Sequence, residues 1–231
     1  MKVLVVLLMI VITFSSSCKK DDAEVQPENS YDFDLINPTF KELQDFYNAG
    51  YTIINGNVQL SDTDSLEDMF TLSNVTSITG GFSVLGNDEL ISFNGLENLI
   101  SINGPFSIGG PFQNQGNKSL KSLEGLDNLQ ILGHDFYISW NPTLMNLTGL
   151  ENLKTINGST IINENDSLLS ISGLSSLITV NFNFIISHNT ILTDYCSIQP
   201  LLLNGSYWII TIVDNKYNPT IDDIKNGDCS E

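Results

Sequence analysis

The residues of this chain that could carry out acid–base or metal chemistry are few and widely separated. Its two histidines, His134 and His188, fall in no triad or zinc-binding spacing. The acidic residues are scattered, and all nine basic residues are lysines. Asp62, Asp64 and Glu67 could together contact calcium, but they lack the loop-ending pattern of an EF-hand, which favours a solvated acidic turn. We therefore predict that the protein is not an enzyme and has no metal or cofactor.

The start of the chain has the pattern of a lipoprotein signal. Lys2 precedes an apolar run over residues 3–12, shorter than the roughly 20 residues that span a bilayer. Three serines then lead to Cys18 in a pattern that resembles a lipobox, whose cysteine is diacylated. Ser15 stands where that pattern commonly has leucine, and an ordinary signal with a chance cysteine is the alternative. We predict a signal peptide over 1–17 and lipid attachment at Cys18.

The segment behind Cys18 indicates where the protein is placed. Lys19 and Lys20 with the acids that follow resemble the signal that sends some Gram-negative lipoproteins to the outer face of the outer membrane. Residues 18–36 are polar, with little apolar content, and are predicted to be a flexible stalk. We expect a protein that is anchored in the outer membrane through its lipid alone and faces the cell exterior.

The remaining cysteines and the overall charge indicate a disulfide and restrict the classes of partner. Cys196 and Cys229 lie near the C-terminus, and an oxidising envelope favours a disulfide between them. The formal net charge is −18, so nucleic acid and anionic lipid headgroups are repelled and are not expected as partners. The acidic surface also serves solubility, which is the simpler explanation for it.

Internal repetition dominates the rest of the chain. Gly-Leu-Glu-Asn-Leu occurs at 95–99 and 149–153, with close variants at 125–129 and 173–177. Six units follow one another in steps of 24, 24, 30, 24 and 24 residues. Their first residues are Ile54, Ile78, Ile102, Leu132, Ile156 and Val180. A fixed period of this length is typical of a repeat architecture.

Each unit has the same apolar pattern. The alternation Phe-x-Ile, as in Phe106 to Ile108, predicts a strand with two inward side chains. Leucines at every third residue suit a chain that turns around one core. An asparagine precedes the mid-unit leucine by three in five units, and Thr63 takes that place in the first. We expect an inward ladder that hydrogen-bonds the backbone of adjacent coils, formed by Asn87, Asn117, Asn141, Asn165 and Asn189.

These units resemble the receptor L domain. The resemblance rests on Ile-x-Gly-x-Phe-x-Ile, then Asn-x-x-Leu, then Gly-Leu-Glu-Asn-Leu, and it covers roughly residues 54–228. That domain occurs in insulin-receptor and epidermal-growth-factor-receptor ectodomains and in many bacterial surface lipoproteins. It implies a mainly β fold, a right-handed β-helical, leucine-rich-repeat-like solenoid of about six coils with short capping helices, which we assign to 37–231. It also implies a binding module, without indicating a site residue by residue, and we expect a monomer.

Both ends of such a solenoid require caps, because an open coil presents an unpaired edge. Thr39 and Glu42 have capping-box spacing at the start of a predicted helix, whose Phe40, Leu43 and Phe46 line one face. Further cap elements are predicted as a helix over 197–203, a strand over 208–213 and a second capped helix from 218–224.

A candidate binding face is predicted among the outward-facing residues. The place between the inward strand residues is occupied by Tyr137, Ile161 and Ile185 in successive units. Trp140 flanks them in another outward column, which it shares with Glu164 and His188. An apolar patch is unexpected on a free surface, so it either binds a partner or is covered by the C-terminal segment. Phe112 lies in the six-residue excess of the third unit, which must loop out toward the same face. Long loops on rigid scaffolds often bind, although neutral insertions are as common.

These observations predict a non-catalytic, lipid-anchored surface module that recognises a protein or a glycan. One alternative is a structural or adhesive spacer without a discrete site. Another is a carbohydrate-active β-helical enzyme, which a groove lined by two or more acids with perturbed ionisation would favour.

Overall fold

The computed structural model describes residues 29–63 and 66–231, and these are mainly β. The predicted signal peptide, Cys18 and Asp64 lie outside the described residues. Fourteen strands form one parallel sheet in the described chain. The α-helices are short: α1 (Phe40–Ala49), α2 (Gln199–Asn204) and α3 (Ile221–Asn226).

The strands, numbered in chain order, lie in two ladders of parallel neighbours. The first contains β1 (Ser30–Tyr31), β3 (Ile53–Ile54), β5 (Ser77–Ile78), β7 (Ser101–Ile102), β9 (Ile131–Leu132) and β11 (Thr155–Ile156). The second contains β2 (Leu35–Ile36), β4 (Val58–Ser61), β6 (Phe82–Leu85), β8 (Phe106–Ile108), β10 (Phe136–Ser139) and β12 (Thr160–Asn163). The longer β13 (Thr179–Ser187) continues both ladders, and β14 (Ser206–Val213) pairs with β13.

The register places equivalent residues of successive units side by side. Ile78 pairs with Ile54 on one side and Ile102 on the other, and Phe106 pairs with Phe136. A slip of one residue would turn every inward apolar side chain to the outer face, so the alternation fixes the register. The 24-residue period of the sequence is therefore the spacing of hydrogen-bonded strand neighbours.

The inward positions predicted from the repeat form one continuous apolar core. Phe82, Phe106 and Phe136 stack through this core, with ring centroids 5.3 and 5.2 Å apart. Leu126, in the middle of the chain of units, has no exposed surface. No unit could bury these side chains alone, so each is stabilised by its neighbours.

The Gly-Leu-Asp and Gly-Leu-Glu segments form tight turns that aim their leucines inward. The Leu126 N–H donates to the Leu123 carbonyl at 3.1 Å, and the Leu129 N–H donates to the Leu126 carbonyl at 2.9 Å. The Gly125 N–H donates to the Asp127 carboxylate at 2.9 Å, and the same bond recurs in two other units. Gly125 has φ 103°, and a side chain there would clash with the backbone of the preceding unit. The Gly-Leu-Asp and Gly-Leu-Glu segments therefore recur because each forms the same tight turn.

The predicted asparagine ladder is confirmed, and all five asparagines are buried. The Asn141 Oδ1 accepts a hydrogen bond from the Asn117 backbone N–H at 3.1 Å. Its Nδ2 donates to the carbonyls of Ile108 at 3.0 Å and Ser139 at 3.1 Å. Asn215 extends the ladder by one step, which the repeat analysis missed because it lies 26 residues after the previous asparagine.

The N-terminal cap contains the predicted helix, α1, with one difference. The Thr39 N–H donates to the Glu42 carboxylate at 2.7 Å, and the Glu42 N–H donates to the Thr39 hydroxyl at 3.3 Å, so the capping box is present. Leu43 and Phe46 are buried, but Phe40 is 71% exposed, and its predicted place on the apolar face is wrong. At about 100° per residue, Phe40 lies about 120° around the helix axis from Phe46, which places it beyond the edge of the buried face.

Part of the predicted stalk is folded. Residues 30–36, which we assigned to a flexible segment, contribute β1 and β2, and these pair with β3 and β4. Leu35 is buried, and the Tyr31 ring packs edge-on against Phe46 with centroids 5.3 Å apart. Backbone pairing and these two side chains extend the folded part to the N-terminal side of residue 37.

The C-terminal cap contains the predicted elements and the predicted disulfide. Cys196 and Cys229 are bonded, with their Cα atoms 4.9 Å apart. A capping box between Thr220 and Asp223 starts α3, and Gly227 ends it. The bridge holds the last residues of the chain against the end of the core.

Replacing Glu42 by alanine should reduce the dependence of stability on acidic pH. The backbone N–H and the hydroxyl of Thr39 donate to the Glu42 carboxylate and hold its pKa below the usual value. Such a group stabilises the fold above its unfolded-state pKa, and the contribution is lost as the pH falls through the folded-state pKa. The difference in melting temperature between wild type and Glu42→Ala should therefore shrink between about pH 5 and about pH 3. Thermal unfolding followed by circular dichroism measures it, and a difference that does not change with pH would refute the expectation.

Candidate binding site

A pocket of about 480 Å³ opens on the outer side of the second strand ladder. Outward-facing residues of β6, β8, β10 and β12 form its floor, and the loop after β8 forms one wall. None of the lining side chains is charged. The lining residues are Ser83, Leu85, Ser107, Gly109, Gly110, Pro111, Tyr137, Ser139, Ile161 and Asn163.

The pocket exists because the third unit has the smallest outward residues. The register places Ser107 beside Tyr137, which in turn lies beside Ile161. Gly109 follows β8 with φ 77°, against the Ser139 carbonyl, where a side chain would clash. Serine and glycine thus leave a hollow next to the larger tyrosine and isoleucine.

The extra residues of the third unit loop out as predicted and are fixed at both ends. At its start the Gly109 N–H donates to the Val84 carbonyl at 2.8 Å, and at its end the Gln115 carbonyl accepts a hydrogen bond from the Gly86 N–H at 2.9 Å. A short 3-10 turn over Gln113–Gln115 orders the loop between them. Pro111 is therefore held as a wall of the pocket.

The polar groups of the pocket include a protonated phenol and an amide. The Tyr137 hydroxyl donates to the Asp135 carboxylate at 3.2 Å; burial, and to a lesser extent that carboxylate, raise the pKa of Tyr137, so its hydroxyl stays protonated. The Ser139 hydroxyl donates to the Asn163 Oδ1 at 2.6 Å. In the described chain, neither the Asn163 Nδ2 nor the Ser107 hydroxyl forms a hydrogen bond within the protein. The pocket therefore offers an aromatic ring, an aliphatic side chain and unused hydrogen-bonding groups.

The structure brings together some of the predicted binding-face residues. Tyr137, Ile161 and Ile185 are register neighbours and are partly exposed. The adjoining β14 extends their row through Thr211, which pairs with Ile185, so this strand does not cover the patch. Tyr137 and Ile161 line the pocket, whereas Ile185 lies outside its lining.

Two predicted residues lie elsewhere. Trp140 has φ 60° at the corner after β10, and it lines a separate hollow of about 330 Å³ with Lys118, Glu164 and Asp166 among its neighbours. Phe112 is 65% exposed and lines neither hollow. Trp140, Glu164 and His188 share this left-handed corner conformation in successive units, so Trp140 lies in a separate column from Tyr137.

An exposed aromatic pair near the C-terminal cap was missed by the sequence analysis. Phe182 and Trp208 stack with ring centroids 6.2 Å apart, and they are 50% and 69% exposed. A sequence signal was present, because Phe182 occupies the place that is glycine in four other units. Those glycines are Gly56, Gly80, Gly104 and Gly158.

The histidines remain apart from each other and from the pocket. The His134 Nδ1 lies 3.3 Å from the Asp135 carboxylate, and the His188 Nε2 lies 3.6 Å from that of Asp214. Within residues 29–63 and 66–231, no three potential metal ligands of the His, Cys, Asp and Glu types cluster together. Over the same ranges, no helix has the length and apolar content to cross a bilayer.

Comparisons of the chain with protein-family models, with curated proteins and with solved structures found no match.

Proposed function

We propose that the protein is a non-catalytic, lipid-anchored surface module that binds its ligand through the outer side of the second strand ladder. The single observation that carries the proposal is the pocket beside Tyr137 and Ile161, which an ordered insertion loop completes. A concave site with an apolar surface and a few polar groups is the usual form of a ligand site. A protein or glycan on the cell exterior is the proposed partner, recognised by a monomer.

The proposed architecture is a right-handed, receptor L domain-like solenoid of about six coils. The two ladders of strands, paired at the repeat period, support it. So does the column of buried asparagines, each bonded to the backbone of a neighbouring unit. Such a scaffold is rigid along its length, which suits it to hold a loop-walled site at a distance from a membrane.

Binding is tested by comparing the wild-type chain with a Tyr137→Ala/Ile161→Ser double variant. Each protein is applied in solution to a glycan array. Each is also immobilised and used to capture partners from a surface-protein fraction. We expect the wild type to retain a defined ligand and the double variant to lose at least about tenfold in affinity for it, because the apolar surface of the site is gone. Thr211→Ala, in the same row but outside the pocket, is the matched control. Equal retention by the double variant would place the site elsewhere, and no retention by the wild type would favour the spacer.

The anchor is tested separately. If Cys18 carries the lipid, Cys18→Ala should move the protein from the membrane fraction to the soluble fraction, because acyl chains contribute about 0.8 kcal/mol per buried CH₂. Detergent-phase partitioning of cell extracts measures the shift, with Cys196→Ser as the control that leaves the anchor intact. Unchanged partitioning of Cys18→Ala would remove the basis for the proposed outer-membrane location.

A further inference from the structure

We infer that the ligand of the pocket beside Tyr137 is an uncharged saccharide, with one sugar ring against the tyrosine ring and its hydroxyls bonded to the serines and to Asn163. This inference rests on the proposed binding function and adds the chemical class of the ligand. Four features of the site lead to it: its charge, its polar groups, its apolar surface and its position on the sheet.

The charge of the site selects against ions. None of the ten lining residues carries a charge, and the chain as a whole has a formal net charge of −18. An anionic ligand would therefore be repelled at a distance and find no cation on arrival. A cationic ligand would be attracted to the surface but would meet no carboxylate among the lining residues. A neutral ligand suits the pocket best.

The polar groups of the site match hydroxyls. Ser83 and Ser107 each offer a hydroxyl that can donate or accept a hydrogen bond, and the Ser139 hydroxyl, whose proton goes to Asn163, can still accept one. Because the Asn163 Oδ1 accepts from Ser139, its Nδ2 is left as a donor toward the ligand. A purely apolar ligand would bury these groups without hydrogen-bond partners, which is unfavourable. A ligand with many hydroxyls would satisfy them.

The apolar part of the site matches the face of a sugar ring. Tyr137 and Ile161 are neighbours on β10 and β12, so their side chains form one continuous apolar surface beside the hydroxyls. The Tyr137 hydroxyl is bound to Asp135, which restrains the ring. A pyranose has an apolar C–H face and a rim of hydroxyls, and it is the common neutral ligand with both. Aromatic rings are large apolar surfaces with a polar edge, which suits them to this contact.

The position of the site excludes the commonest way of binding an extended peptide. Peptides that add to a sheet do so at an unpaired edge, through main-chain hydrogen bonds. The floor of this pocket is the face of β8 and β10, and both strands are paired on both sides. The volume of about 480 Å³ lies in the range of about 300–1,000 Å³ typical of small-ligand sites, which fits one or a few sugar units.

The test uses the full chain in detergent with defined neutral saccharides as probes: glucose, galactose, mannose, N-acetylglucosamine and their disaccharides. Glucuronate and sialic acid are the charged comparators. Saturation-transfer NMR detects binding, and titration calorimetry gives the dissociation constant. We expect at least one neutral saccharide to bind and both acids to fail.

Four variants locate the binding. Tyr137→Ala should raise the dissociation constant at least about tenfold, whereas Tyr137→Phe, which keeps the ring, should change it less than about threefold. Ser107→Phe should abolish binding by filling the hollow, and Thr211→Ala should leave it unchanged. Circular dichroism and melting temperature show that each variant is folded.

Three results would overturn the inference, and together they distinguish its failure from a failure of the proposed function. If no neutral saccharide binds while a surface protein is still captured in a Tyr137-dependent way, the binding module stands and the saccharide is wrong. If saccharide binding survives both Tyr137→Ala and Ser107→Phe, the sugar binds elsewhere. Absence of saccharide binding and of any Tyr137-dependent capture would remove both proposals.

Discussion

Asn141→Ala should be among the most destabilising single substitutions in this protein, lowering the free energy of unfolding by about 3–9 kcal/mol. The side chain is fully buried and satisfies the backbone N–H of Asn117 and the carbonyls of Ile108 and Ser139. Alanine would leave these three groups buried without partners, each at about 1–3 kcal/mol. Total stabilities of domains are about 5–15 kcal/mol, so the variant is expected to be marginally folded.

Chemical denaturation of the wild type and the variant measures this loss. Asn141→Asp offers a second test, because it keeps an acceptor for Asn117 but loses the donor to the two carbonyls. Asn152→Ala is the matched control: its amide also bonds to a neighbouring unit, at 2.7 Å to the Asp127 carbonyl, but it is exposed to solvent. A loss at Asn141 no greater than the loss at Asn152 would mean that the ladder does not stabilise the fold.

Leu126→Ala should lower the free energy of unfolding by about 2–5 kcal/mol. Leu126 has no exposed surface and lies in a core that continues through the units on both sides. The turns at Leu123 and Leu129 fix the backbone around it, so the chain cannot collapse fully into the space left by the lost methyl groups. The remaining cavity adds its cost to the lost transfer free energy.

Urea denaturation measures the free energy of unfolding of Leu126→Ala. An m-value equal to that of the wild type would show that the substitution changes stability alone. Leu169→Ala is the control for this variant, since Leu169 lies in the unit that begins at Ile156 and is 51% exposed. It should change stability by less than about 0.5 kcal/mol. Near-neutral behaviour of Leu126→Ala would show that the inward register of the turns is wrong.

The sequence determined the repeating part of the fold. Strand alternation, leucines at every third residue and the asparagine column each depend on local geometry that is the same in every unit, so a 24-residue period predicts which side chains face inward. Both capping boxes were predictable for the same reason, because a helix start is fixed by two side chains three residues apart. The disulfide followed from there being only two cysteines beyond Cys18.

The features that differ from one unit to the next were decided only by the tertiary structure. The pairing of residues 30–36 could not be predicted, because two short strands have little pattern of their own and form only against β3 and β4. The hollow that Trp140 lines could not be predicted either, because Lys118 and Asp166, which also line it, come from the units on either side.

The pocket itself is the clearest case of what sequence alone left open. The period predicts that Tyr137 and Ile161 lie side by side. A pocket also requires small residues beside them, which leave space, and a segment of chain that forms a wall. The small residues are Ser107 and Gly109. The wall is Pro111, in the insertion loop that accepts a hydrogen bond from the Gly86 N–H. Local pattern fixes the direction of each side chain, whereas a cavity depends on the summed sizes of residues from different strands, which only their packing in three dimensions brings together.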